Sequence, residues 1–249
     1  MGPFIYGTLL SSYFVPMEES PWTCDLRNGK PGDLQDPQVA SNDGCTDELT
    51  DDGTGDDDTD GDSLAAYLET VTRYEAIIGN SKNKRDPEIL KMMYNLALAY
   101  RRLRQLTAAV AILKDMLETL REVSGADDLS LTAMGALGRI SLERGDIQYG
   151  ISVLQGELES RRKIQGDDHP DTLNAMHDLG EAYYRDGMLK EAANIEHECL
   201  ERSWRIFGPA HLDTLVTAES LLHTLGGLGR INEIEDITRG FADAGVTIN

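Results

Sequence analysis

Residues 169–208 read HPDTLNAMHDLGEAYYRDGMLKEAANIEHECLERSWRIFG, and this stretch decides the fold. Its apolar residues recur at helical spacing in two runs separated by a short turn. Pro170 stands where the first helix (A) begins, a position at which a missing amide proton costs nothing. Gly187 falls just after that helix, where a left-handed residue turns the chain back, and Gly208 ends the second helix (B).

The same ending, an apolar residue followed by seven others and then glycine, occurs four times: Val71 to Gly79, Leu117 to Gly125, Leu158 to Gly166 and Leu200 to Gly208. The last three glycines stand 41 and 42 residues apart, a period that signals a stack of repeats. His211-Leu212-Asp213-Thr214-Leu215 repeats the opening of the quoted unit, and Ala133-Met134 with Leu137-Gly138 repeats Ala175-Met176 with Leu179-Gly180. Leu96 and Tyr100 match Leu179 and Tyr183. Gly145, Gly187 and Gly229 share one place after helix A, and Arg104 departs from them in the first unit. Ala97, Gly138 and Gly180 in helix A, with Ala109, Gly150 and Ala192 in helix B, are small residues that let paired helices approach closely.

These residues (the HPDTL start, Leu179-Gly180 with Tyr183, Gly187, Glu191-Ala192, and Ile206-Phe207-Gly208) resemble tetratricopeptide repeats. The resemblance is to the long 42-residue variety of kinesin light chains and of many eukaryotic NLR-like multidomain proteins. The standard unit has 34 residues. It implies an all-α solenoid of antiparallel helix pairs. The repeats are expected over 87–125, 129–166, 170–208 and 212–247, with a half-repeat capping helix over 64–78 in a domain spanning 63–249. The fourth unit, with Leu222 and Ile234 at the small-residue places, reads as a terminal repeat facing water.

Residues 1–62 differ in kind. They carry fifteen acidic residues against Arg27 and Lys30, which leaves −8 of the total −21 for residues 63–249. Residues 1–62 are expected to be a disordered acidic tail, and within them the run Asp47–Asp62 has Leu49 as its one apolar residue. A net −21 repels phosphate backbones and anionic lipid surfaces, so neither nucleic acid nor membrane is expected as a partner. The apolar stretch 4–15 is interrupted by Ser11 and Ser12 and lacks a preceding positive charge, unlike a secretory signal. Tyr6 stands where a myristoylation signal wants Ser or Thr. Three cysteines without framework spacing, Cys24, Cys45 and Cys199, fit a reducing, cytoplasmic compartment.

No catalytic constellation, cofactor motif or metal site is read from the chain. His169 and His211 belong to the repeat opening, and His197-Glu198-Cys199 offers too few ligands on one helix. Tyr67, Tyr74, Tyr94, Tyr100, Tyr183 and Tyr184, at helical spacing, read as core. Bases near the ends of B helices complement the helix dipole.

The family resemblance implies peptide binding by A-helix side chains on a concave face. Carried onto this chain, it selects Asn95, Ala136, Asp178 and Ser220 as equivalents of an asparagine that bonds a peptide backbone, and Asn95 alone keeps that residue. Lys91, Asn95, Arg102, Arg139, Asn174, Asp178, Glu181 and Arg185 are the candidate groove residues. Their bases are expected to receive an acidic peptide, the protein's own tail included, which would make the scaffold self-inhibited. The expected function is a non-enzymatic scaffold or adaptor for a protein or peptide partner. Two alternatives are a regulatory accessory whose tail is the effector and a remnant of a longer NLR-like protein.

Overall fold

The computed structural model describes residues 61–123 and 128–248, and every regular element among them is an α-helix. In chain order these are α1 (Gly61–Asn80), α2 (Pro87–Arg102), α3 (Leu106–Val123), α4 (Asp128–Arg144), α5 (Ile147–Ile164), α6 (Pro170–Arg185), α7 (Leu189–Phe207), α8 (Leu212–Leu228) and α9 (Ile231–Asp243). The acidic tail expected over 1–62 lies almost wholly outside the described residues, as does Gly125. No described helix is long and apolar enough to cross a membrane.

Each helix packs on the next, and α4 also meets α6 while α6 meets α8. The even-numbered helices are therefore the A helices, forming the inner row of a solenoid, and the odd-numbered ones from α3 onward are the B helices behind them. Among the described residues, α1 is a B helix without an A partner. It packs on α2 through Val71 and Ile78, with Tyr67 and Tyr74 half-buried alongside, and leaves Leu64 and Leu68 exposed.

Local chemistry sets the helix ends. Before α2, the Asp86 side chain accepts a hydrogen bond from the Glu88 amide. Before α6 and α8, His169 and His211 do the same for the amides of Asp171 and Asp213. After α4, α6 and α8, Gly145, Gly187 and Gly229 adopt φ of 94°, 78° and 69°, and Arg104 takes this left-handed place in the first repeat with φ 57°. Gly166 and Gly208 end their B helices with φ 88°. Gly79 corrects the repeat reading, because α1 runs through it to Asn80. Six residues separate α1 from α2, so the chain reverses there without a left-handed residue.

The small-residue columns are close-packing contacts. A Cβ on Gly138 would lie 2.5 Å from Leu154 Cγ, and one on Gly150 would lie 2.7 Å from Leu142 Cδ2. The core lines these columns, with Met93, Leu96, Leu113, Met116, Leu131, Ile140, Leu154, Leu173, Met176 and Leu221 fully buried. At the far end Trp204 meets Phe241 edge-on, with 4.4 Å between ring centroids. Phe241 is the sole buried residue of α9, with Ile234 and Ile237 half-buried beside it.

Candidate binding surface along the A helices

The helices α2, α4, α6 and α8 place the candidate side chains in a row across repeats. Lateral bonds tie this row together. Arg101 Nε donates to Glu143 Oε1 across 2.7 Å, linking α2 to α4. Arg139 Nη1 donates to Asp178 Oδ2 across 2.6 Å, linking α4 to α6. The Tyr184 hydroxyl and His223 Nε2 lie 2.6 Å apart, and Ser220 Oγ and His177 Nε2 3.4 Å, both linking α6 to α8. Each pair is separated by about one repeat in sequence, so the inner row is held in register by polar side chains.

The structure thus brings some predicted site residues together and leaves others apart. Arg139 and Asp178 form one buried ion pair, with 23% and 5% of their side chains exposed. Burial alone would raise the Asp178 pKa and lower that of Arg139. The attraction between them outweighs this, holding the carboxyl below and the guanidinium above their ordinary ranges. Glu181 accepts from Arg185 Nε at 3.0 Å one turn along α6, and burial still raises its pKa. Asn174 is half-buried on the first turns of α6. Lys91, Asn95 and Arg102 share α2, with Lys91 and Arg102 exposed and Asn95 half-buried. Lys91 Nζ lies 3.1 Å from Glu88 Oε1 in a pair that is itself solvent-exposed, hence weak.

Two acids on the B helices complete this surface from behind. Glu157 of α5 is 3% exposed, and its Oε1 accepts from Arg161 Nε at 2.8 Å. Glu196 of α7 is 2% exposed. Each is lodged against an A-helix glycine: a Cβ on Gly135 would come within 2.9 Å of the Glu157 carboxylate oxygens, and one on Gly180 within 2.8 Å of Glu196 Cγ. Burial pushes both pKa values up to about 7. Arg161 pulls back on Glu157, and the Thr224 hydroxyl with His177 pulls back on Glu196. Oε2 of both carboxylates is buried without a hydrogen-bond partner. For His177, burial would lower the pKa, but Asp178, Glu181 and Glu196 together raise it.

These glutamates escape a reading based on which residues face the groove. A signal existed: at the place where α3 has Leu113 and α5 has Leu154, α7 has Glu196, an acid in a column of leucines. Cys199, one turn from Glu196, is fully buried, and burial pushes its thiol up to about 11, so it is not an activated nucleophile. Among the described residues no three His, Cys, Asp or Glu side chains gather to hold a metal ion. The arrangement offers an ordered polar surface for recognition.

Helix pairs of this length, with their left-handed glycines and small-residue columns, define a tetratricopeptide-repeat solenoid. Family models described as tetratricopeptide repeat match residues 89–129 and 141–203. The chain carries tetratricopeptide repeats over these residues, and its fold is similar to that of solved kinesin-light-chain repeat structures. The Q17M crystal structure of a Podosopora anserina putative kinesin light chain with nearly identical TPR-like repeats is 19% identical. It is similar over 73% of this chain and 87% of that one, with a TM-score of 0.64. BtubC (BKLC) from P. vanneervenii is 12% identical over 72% of this chain and 70% of its own, with a TM-score of 0.59. Bacillus thuringiensis PlcR, in complex with the peptide PapR7 and DNA, is 19% identical over 73% of this chain and 69% of its own, with a TM-score of 0.51. At these identities the likeness is one of fold. No curated protein matches the sequence.

Proposed function

We propose that this protein is a non-enzymatic scaffold or adaptor that holds a peptide segment of a protein partner along the inner row of A helices. The observation that carries this reading is the lateral bonding of that row. Arg101 to Glu143, Arg139 to Asp178 and Tyr184 to His223 fix side chains of successive repeats before any ligand arrives. A surface ordered in advance loses less entropy on binding an extended segment. The complex of PlcR with the peptide PapR7 supplies a precedent for peptide recognition by a protein of similar fold.

The candidate residues take different parts in this proposal. Lys91, Asn95 and Arg102, at the α2 end, contact the ligand directly, and acidic ligand groups are drawn there. Arg139, Asp178, Glu181 and Arg185 already bond one another and shape the middle of the groove, with Asn174 beside them. Self-inhibition by the acidic tail belongs to the same proposal. Replacing Asp56, Asp57, Asp58, Asp60 and Asp62 by Asn in the full chain then raises partner affinity at low salt and leaves it unchanged at high salt.

The test is affinity purification of the intact protein from its native cells beside a Lys91→Glu, Asn95→Ala, Arg102→Glu variant, with mass spectrometry of what is retained. A partner lost from the variant alone locates binding at the α2 end of the groove. Partners retained equally by both refute that assignment. Arg139 is left intact because its loss would strand the buried Asp178 carboxylate and unfold the repeat.

A further inference from the structure

The inner row is not uniform in charge. Helix α2 has one acid, Glu88, against Lys91, Arg101 and Arg102, whereas α4 is balanced. Helix α6 has three acids against Arg185, and α8 has Asp213 and Glu219 with no base. The row therefore changes sign from basic at α2 to acidic at α6 and α8.

At the acidic end most carboxylates are already matched. Asp178 has Arg139, Glu181 has Arg185, and Asp171 Oδ2 lies 3.2 Å from Arg161 Nη1. Glu196 differs. It lies behind α6 and α8, where the groups facing it are His177 and Glu181 from α6 and Thr224 from α8, with Cys199 on its own helix. No Lys or Arg side chain reaches it within ion-pair distance among the described residues, and its Oε2 is buried without a hydrogen-bond partner. Thr224 Oγ1 is likewise buried and outside hydrogen-bond geometry, although near enough to favour the carboxylate. An unmet buried carboxylate oxygen costs on the order of 1–3 kcal/mol, more if charged. The native protein carries this defect where α7 packs behind α6 and α8.

We propose that the inner face of α6 and α8 around His177 and Glu196 is a subsite for a lysine or arginine side chain of the bound peptide. This rests on the scaffold reading and gives its ligand a chemistry. A metal ion is disfavoured because too few ligating groups converge. An ammonium or guanidinium brings three or five donors of its own, enough to meet the Glu196 carboxylate, the Thr224 hydroxyl and the outer edge of Glu181 together. The entry is the His177 ring, 11% exposed, which lies 3.4 Å from Ser220 Oγ and beside the Asp178 carboxylate, so an incoming cation must move it against that attraction. Gly180 lets the Glu196 side chain lie directly against α6, since a Cβ there would come within 2.8 Å of Glu196 Cγ. The net charge of −21 draws cationic segments toward the protein as a whole.

The test is selection of random twelve-residue peptides displayed against the full-length protein at pH 8. The expected result is enrichment of Lys or Arg at one position of the selected peptides. Alanine at that position then raises Kd about tenfold. The Glu196→Gln protein shows neither the enrichment nor the difference, while binding other parts of the peptide as before. Glu181→Gln, a half-exposed position, repeats the test if Glu196→Gln fails to fold. Affinity also weakens from pH 8 to pH 6, as a proton replaces the ligand cation on Glu196. Peptides selected without a basic preference, or a basic residue whose effect persists in Glu196→Gln, overturn the subsite and leave the scaffold reading intact. Failure to select any peptide overturns both.

Discussion

At the scale of single residues, the repeat opening shows histidine doing the work of a carboxylate. The Nδ1 atoms of His169 and His211 accept from amides 3.2 and 3.3 Å away, as Asp86 Oδ1 does at 3.0 Å in the first repeat. Only a neutral imidazole has this lone pair, so the recurring histidine is a cap and not a ligand. Loss of a cap costs about 1 kcal/mol. His169→Ala is therefore expected to lower the unfolding free energy from urea titration by that amount, and His169→Asp to restore it; equal destabilisation by both would show that the imidazole acts through packing. Arg104 offers a gain instead. It alone among the described non-glycine residues has positive φ, at 57°, in the place that Gly145, Gly187 and Gly229 fill in the other repeats. Its contact with Glu143 is 3.8 Å long from an exposed guanidinium, and Glu143 already accepts from Arg101 at 2.7 Å, so it contributes little. The left-handed conformation costs an L-residue about 1–2 kcal/mol, offset by about 0.5–1 for the entropy of an unfolded glycine. Arg104→Gly should raise stability by about 0.5–1 kcal/mol in chemical denaturation, and a loss would mean that the guanidinium holds the turn.

At the scale of helices, stability depends on how closely A and B helices approach. Gly138 faces Leu154 at a distance no Cβ tolerates, and the nearest atom is the branched Leu154 Cγ, which cannot swing aside without leaving the core. Gly138→Ala should destabilise by about 1–3 kcal/mol. A Leu154→Ala change on top should cost less in this background than in the wild type, as a thermal-denaturation double-mutant cycle would show. This contact was legible in the sequence, because the 41- and 42-residue spacing superposes Gly138 on Gly180 and marks the column as small. The turn glycines and the helix pairing were legible for the same reason: each is dictated within one repeat. What crosses between repeats was not. Arg139 and Arg185 look alike as bases on one helix face, yet one is locked to Asp178 of the next repeat and the other to Glu181 of its own. Their different fates depend on the lateral register of α4 on α6, which no single repeat encodes. Glu196 was hidden similarly, since α7 has a polar face in projection and the packing of both α6 and α8 buries this glutamate.

At the scale of the whole array, these buried acids make stability depend on pH in a direction opposite to that of most acidic proteins. Glu157 and Glu196 have folded pKa values raised to about 7, against about 4.3 for an unfolded glutamate. The folded state binds their protons more tightly than the unfolded chain does. Their stabilising contribution is thus complete below the unfolded value and is lost as pH rises through the folded one. His177, whose pKa is also raised, acts with the same sign. Asp178 acts oppositely, because its depressed pKa supports the fold above the ordinary aspartate value and fails only when strong acid protonates it. Stability should therefore peak between about pH 4.5 and pH 6 and decline toward pH 8, by on the order of 2 kcal/mol for each glutamate. General repulsion in a chain of net charge −21 slopes the same way, so the wild-type profile cannot separate the two causes. Single amide substitutions can, since each changes the net charge by one unit. Glu196→Gln should be near wild type at pH 5 and more stable than wild type at pH 8, and Glu157→Gln should gain less there because it gives up the charge-assisted bond to Arg161. If an exposed control, Glu159→Gln on the outer face of α5, flattens the urea-midpoint profile as much as Glu196→Gln does, repulsion at the surface governs the slope and the buried glutamates do not.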